Sequence, residues 1–291
     1  MMDTAGLPRW GGLAKGSEDT DIVVVGIPYD GSAVYRKGAA GAPARIRELS
    51  AIMPPVTETG RSLAALRVVD LGDLDLGDAV ESGWKRAATE LRALPPKAFL
   101  TAIGGDHCST IPVLAAQTAR HPDCAVLWID AHPDLCDFSR GGRWTCGCAL
   151  RRGMEIADLK PGSIVIAGSR DYDLEELEFS RQAGIELISV RDLARDPQSA
   201  AALVADHLGS RPLHISFDID VLDPAFAPGT EVPSAGGLST RQALEFLEAV
   251  AARTHVVGLD VMEVSPPLDQ TDITTLAALK IIFEIWGYVL L

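Results

Sequence analysis

The sequence predicts one α/β domain built on a mainly parallel sheet. From about residue 21 to the end, short β-branched runs alternate with longer amphipathic stretches, the pattern of repeated strand–helix–strand units. The short runs are continuously apolar instead of alternating, as expected of parallel strands covered on both faces. With 291 residues, 47% of them hydrophobic, the chain is long enough to bury a large core.

Taken in order, the expected strands are 22–27 (IVVVGI), 67–70, 98–103 (AFLTAI), 124–130 (CAVLWID), 163–168 (SIVIAG), 185–190, 212–219 (PLHISFDI) and 255–261 (HVVGLDV). Helices are expected between most of them, at about 42–50, 79–94, 109–120, 173–184, 197–209, 240–252 and 272–289. Residues 1–20, rich in Gly and polar side chains, read as a loosely held lead-in to a domain spanning 21–291. There is no internal repeat, long linker or low-complexity segment.

A formal net charge of −14, spread along the chain, disfavours nucleic acid or an anionic membrane as partner, because both demand a basic face. It suits a cationic small molecule. The N-terminus lacks the basic and apolar regions of a signal peptide. The most apolar segment, 273–291, is interrupted by Lys280 and Glu284, as in a buried or subunit-facing helix. Five cysteines, three of them clustered, do not form a disulfide framework and suit a reducing cytoplasm.

Open α/β sheets bind ligands beyond the carboxyl ends of their strands. Four expected strands end in polar residues that a scaffold alone does not require: Gly104-Gly105-Asp106-His107, Asp130-Ala131-His132-Pro133-Asp134, Asp218-Ile219-Asp220 with Asp223, and Glu263. Residues i and i+2 of an extended segment face one side, so Asp130 pairs with His132 and Asp218 with Asp220. So many carboxylates in one place repel unless a cation sits among them. His107, His132, Asp130, Asp134, Asp218 and Asp220 are too many ligands for one tetrahedral ion, and two ions bridged by shared carboxylates use them all. A set rich in carboxylate and free of thiolate favours Mn²⁺ or another hard ion. A single Asp after a strand is more often a cap or turn residue. Three such clusters together are not explained that way.

These clusters resemble those of the ureohydrolase family of arginases, agmatinases and guanidino-acid hydrolases. The matching strings are GGDH at 104–107, DAHPD at 130–134, SFDIDVLDP at 216–224 and EVSPPLD at 263–269, with GIPYD at 26–30 and KGAAGAPARIR at 37–47. The resemblance implies a three-layer α/β/α sandwich around an eight-stranded sheet. It implies two Mn²⁺ ions per subunit, one on His107, Asp130, Asp134 and Asp218, the other on Asp130, His132, Asp218 and Asp220. Such a pair supplies hydroxide near neutral pH for attack on a guanidinium carbon, releasing urea and an amine. Asp134 would hold the nucleophile and relay a proton, and Glu263 would pair with the guanidinium of a small guanidino substrate. Family members are usually trimers or hexamers.

One position departs from the pattern. Where many relatives carry a proton-shuttling His, the stretch RWTCGCALRR (143–152) carries Cys146. Two readings stand: a weaker shuttle, since a free thiol titrates near about 8.5, or a small space-filling residue. Substrate choice rests on less. Arg140 and Arg143 could bind a carboxylate, while Asp171 and Asp173 could meet a substrate amino group, or Asp173 could simply cap a helix. Agmatinase leads on overall pattern. The alternatives are another guanidino-acid hydrolase, an arginase, a formimidoylglutamase, a one-metal deacetylase-like amide hydrolase, or a silent metal-binding subunit.

Overall fold

A computed structural model describes residues 8–16, 20–76 and 80–291. Its strands are β1 (Ala14–Lys15), β2 (Ile22–Ile27), β3 (Arg67–Asp73), β4 (Phe99–Gly104), β5 (Ala125–Ile129), β6 (Ile164–Ser169), β7 (Glu186–Ser189), β8 (Pro212–Asp218) and β9 (His255–Met262). All pair in parallel, in the order β1-β3-β2-β4-β9-β8-β5-β6-β7. Strands β2 to β9 are the eight apolar runs expected. β1 is an additional two-residue edge strand, with Ala14 opposite Arg67.

β1 lies within the stretch read as a loosely held lead-in. Residues 1–7 and 17–19 of that stretch lie outside the described residues, but within Pro8–Gly16 one side chain is anchored in the core. Trp10 is buried against Trp286 at 5.7 Å between ring centroids, and its indole N–H donates to Asp70 at 2.9 Å. The polar composition of the segment concealed this one aromatic anchor.

The helices are α1 (Ala42–Leu49), α2 (Val80–Arg92), α3 (Thr110–Arg120), α4 (Ala149–Ala157), α5 (Leu174–Ala183), α6 (Val190–Arg195), α7 (Pro197–Leu208), α8 (Thr240–Ala251) and α9 (Ile273–Leu290). Helices α4 and α6 were not anticipated. α6 is six residues long, and α4 contains Gly153, a residue that weakens a helical reading. The glycine has a packing reason: a Cβ there would lie 2.8 Å from Leu114 Cδ1 on α3.

Alternating side chains divide the core into two layers. Along β2, Ile22 and Val24 join one apolar cluster with Ile46, Leu193, Val204, Phe246 and Trp286 of α1 and α6–α9. Val23, Val25 and Ile27 join the other, with Trp84, Leu114 and Leu150 of α2–α4, while Phe179 of α5 packs at its margin. The fold is thus the three-layer α/β/α sandwich expected. α9 has the length and composition of a membrane-crossing helix, yet Ala277–Leu279 and Ile281–Gly287 are buried and it packs on α1 and α8. Lys280, one of its two interrupting charges, pairs with Glu284.

The strand order decides where the chemistry falls. β4, β9, β8 and β5 are consecutive neighbours at the centre of the sheet. Their carboxyl ends carry all four polar clusters.

Candidate active site

β4 runs into Gly105, where a Cβ would lie 1.6 Å from the Tyr29 carbonyl oxygen, so only glycine lets the chain pass. The turn delivers His107 into the interior, its ring stacked on Trp128 at 3.8 Å between centroids. Nδ1 of His107 lies 3.0 Å from both Asp130 Oδ2 and Asp218 Oδ2 and 3.3 Å from Asp134 Oδ2. Across the shared Asp130, His132 Nδ1 lies 3.1 Å from Asp220 Oδ2 and 3.5 Å from Asp130 Oδ1. The six expected ligands therefore converge as two groups, with one oxygen of Asp130 turned to each. Asp218 turns one oxygen to His107 and accepts the Asp220 N–H with the other at 2.8 Å.

The opposite side of His107 shows what the centre accepts. Its Nε2 lies 3.0 Å from Ser216 Oγ, which donates to Asp260 Oδ1 at 2.7 Å. Asp260 also accepts from Thr110 Oγ1 at 3.1 Å and pairs with His214 Nε2 at 2.7 Å. A hydroxyl whose only proton goes to a carboxylate must receive the imidazole N–H, which leaves Nδ1 of the neutral ring with a bare lone pair. That Nδ1 is buried, makes no hydrogen bond and faces three carboxylate oxygens. Lone pair against carboxylate is repulsive, and a divalent cation resolves it. Burial first, and neighbouring carboxylates next, push Asp134 and Asp218 well above the usual carboxylate range, the cost that a bound cation removes. The donor set of imidazole nitrogens and carboxylate oxygens thus fits a metal pair.

Asp134 and Glu263 sit at φ of +55° and +64°, a conformation non-glycine residues seldom adopt. Such strain collects where a side chain must be aimed. Glu263 Oε1 accepts the His107 N–H at 2.8 Å, while its buried Oε2 has no partner. Both groups open into a cleft of about 320 Å³ lined by His107, His132, Asp134, Asp218, Asp220 and Glu263.

The profile of the family described as "Arginase family" matches residues 20–287. Proclavaminate amidinohydrolase of Streptomyces clavuligerus is 36% identical over 271 residues, covering 90% of this chain and 85% of that one. The chain belongs to the arginase family.

Other members of this family are similar to a like degree. An agmatinase of Bacillus cereus is 32% identical, covering 92% of this chain and 91% of its own, and a guanidinopropionase of Pseudomonas aeruginosa is 33% identical, covering 98% and 94%. The solved structure of the S. clavuligerus amidinohydrolase superposes with a TM-score of 0.88 at 34% identity, covering 99% of both chains. The chain is thus an amidinohydrolase of the arginase family, and a one-metal amide-hydrolase site leaves the second ligand group unused.

The remaining expected residues separate in space. Cys146 is half-buried in the cleft wall. Burial first, then Glu263 and Glu231, push its thiol well above the ordinary thiol range. Asp173 serves both of its readings: it is the N-cap of α5, in a capping box with Glu176, and it lines the cleft mouth beside Asp171 and Tyr172. Arg143 does not reach the cleft. It is exposed in a separate groove, 3.2 Å from Asp137 and 3.5 Å from Glu155, because the loop turns it toward α4. Its neighbour in sequence, Arg140, lines the mouth instead.

One cleft residue escaped sequence reasoning. Glu231 lies in the Pro- and Gly-rich loop between β8 and α8, away from any strand end, and reads as a solvated acid. It is 1% exposed. Its Oε1 accepts the N–H groups of Val34 and Tyr35, the latter at 2.6 Å, from the segment between β2 and α1. Only that long-range packing reveals it.

Proposed function

We propose that this arginase-family protein hydrolyses agmatine to putrescine and urea, using two Mn²⁺ ions. The observation that carries the reading is the unpartnered, buried Oε2 of Glu263 in the cleft that also holds both ligand groups. A planar guanidinium is the cation whose donors match such a carboxylate.

His107, Asp130, Asp134 and Asp218 would hold one ion, and Asp130, His132, Asp218 and Asp220 the other. Bound there, the pair supplies Lewis acidity and activates water near neutral pH. Glu263 holds the guanidinium with its carbon toward the ligand groups. Asp134, aimed by its left-handed backbone, takes a proton and returns it to the departing amine. Asp171 and Asp173 at the mouth supply negative charge for a cationic tail, against the single base Arg140. That balance favours the aminobutyl end of agmatine over the carboxylate of a guanidino acid. The agmatinase among the relatives supports the same reading. Five free cysteines accord with work in a reducing cytoplasm.

The test is urea release by Mn²⁺-loaded protein across agmatine, arginine, guanidinobutyrate and guanidinopropionate, with formamide from formiminoglutamate assayed in parallel. Agmatine is expected to lead in kcat/KM by several-fold, since each exposed ion pair at the mouth contributes about 0–1 kcal/mol. Preference for a guanidino acid overturns the tail assignment. Full metal loading without turnover of any compound overturns the activity and leaves a silent subunit.

A further inference from the structure

Beside the Glu263 carboxylate a second acid shares the cleft. A carboxylate oxygen of Glu231, one of Glu263 and Sγ of Cys146 all lie within 4.8 Å of one another. Both acids are buried, Glu231 at 1% exposure and Glu263 at 4%. Each has one oxygen tied to backbone N–H groups and the other without a partner: Oε1 of Glu231 accepts from Val34 and Tyr35, and Oε1 of Glu263 accepts from His107. Two carboxylates held in this way repel each other when both are ionised. The cysteine at the third corner is a weak hydrogen-bonding group.

Oxygens within 4.8 Å of each other are close enough for a single amino group to bridge. The two N–H bonds of one amino group diverge by about 120°, so acceptors about 2.8 Å from its nitrogen stand about 4.8 Å apart. A guanidinium carries such amino groups and the positive charge that two carboxylates require. We infer that Glu231 is a specificity-determining residue that shares one terminal amino group of the guanidinium with Glu263. The inference rests on the guanidino-hydrolase reading and deepens it: the substrate class is one with an unsubstituted terminal amino group. A methyl on that nitrogen removes one N–H and meets Glu231. A metal ion is the competing occupant of the triangle, and the test separates the two.

Glu231→Gln keeps an oxygen for the Val34 and Tyr35 amides and replaces the other with a donor. In Mn²⁺-loaded protein, this change is expected to lower kcat/KM for agmatine by about 10- to 100-fold, the worth of one hydrogen bond to a charged group. Binding of methylguanidinium chloride, followed by calorimetry, should weaken by a similar factor, with Mn²⁺ stoichiometry still two per chain. Unchanged kcat/KM and unchanged methylguanidinium affinity overturn the role of Glu231, while urea release by the wild-type protein keeps the parent reading standing. Loss of urea release and of methylguanidinium binding in the wild type removes both.

A crystal of the wild-type protein loaded with Mn²⁺ and soaked in methylguanidinium chloride decides the matter should the variant not fold. One nitrogen within about 3.2 Å of oxygens from both Glu231 and Glu263 is the expected result. A nitrogen on Glu263 alone, or a third metal ion in the triangle, overturns the inference.

Discussion

Nε2 of His107 lies 3.0 Å from Oγ of Ser216, and this contact fixes which side of the imidazole is left for a metal. Ser216 passes its own proton to Asp260, a fully buried carboxylate that also receives Thr110 and His214. Asp260→Asn can reverse the chain, because an amide N–H donates to Ser216, which then donates to Nε2 and moves the imidazole proton to Nδ1. Mn²⁺ affinity at the His107 site is expected to fall about 10- to 100-fold, as for other partners of metal ligands. Titration calorimetry checks it, with circular dichroism confirming the fold. Equal affinity in the variant would show that Asp260 does not position His107.

Metal removal should destabilise the protein as well as silence it. Stripping the ions leaves Asp130, Asp134, Asp218 and Asp220 buried together with only two imidazoles among them. Ligand at about 100 times its Kd stabilises by about 2.7 kcal/mol per site. For a chain of this size that corresponds to an apparent Tm about 5–10 °C lower after chelation. Differential scanning calorimetry with and without a chelator measures it, and recovery on adding back Mn²⁺ distinguishes metal loss from damage.

Sequence reasoning succeeds where a residue's role is set by its own strand and fails where it is set by a distant one. Most strands are legible because they are continuous apolar runs, and Asp130–His132 and Asp218–Asp220 because extended backbone dictates their spacing. Trp10 and Glu231 are illegible for one shared reason. Trp10 becomes part of the core through Trp286, Asp70 and Ser50, and Glu231 becomes part of the cleft through Val34, Tyr35 and Arg36, all distant in sequence. Arg143 and Arg140 show the finer limit: three residues apart on one loop, they face different grooves, and composition cannot say which.

That division of the loop is testable. Arg143→Ala should leave KM for agmatine within about twofold, since its partners Asp137 and Glu155 are exposed and surface pairs contribute about 0–1 kcal/mol. Asp171→Asn combined with Asp173→Asn should raise KM several-fold without lowering kcat in proportion, because both lie at the cleft mouth, away from the reacting centre. Steady-state kinetics on the two variants side by side checks both expectations. A large KM change in Arg143→Ala would return that residue to the substrate path.

Alkaline stability should report on Cys124, a buried thiol remote from the cleft. Burial raises its pKa from 9.0 to about 12. A group that holds its proton more tightly when folded contributes stability that is complete below the unfolded pKa and is lost as pH rises through the folded one. The window is therefore pH 9 to about 12, with a slope of at most about 1.4 kcal/mol per pH unit from this one proton. Cys124→Ala should flatten the fall in Tm between pH 9 and 11, measured by circular dichroism. An identical slope in variant and wild type assigns the alkaline loss to other groups.

Cys146 stands where a shuttle histidine was expected, and its surroundings argue for a passive role. Burial and the nearby Glu263 and Glu231 hold its proton in place, so the thiol neither takes up nor releases one readily near neutral pH. Positioned acid–base groups contribute about 100- to 10,000-fold to a rate. Cys146→Ser, which preserves size and a hydrogen-bonding group while removing the thiol, should keep kcat for agmatine within about threefold, far inside that range. It should also leave the pH–rate profile unshifted between pH 7 and about 9, where a working thiol would impose its own limb. A loss of 100-fold or more, at full Mn²⁺ occupancy, would make the sulfur the proton carrier after all and shift the departing amine's proton from Asp134 to Cys146.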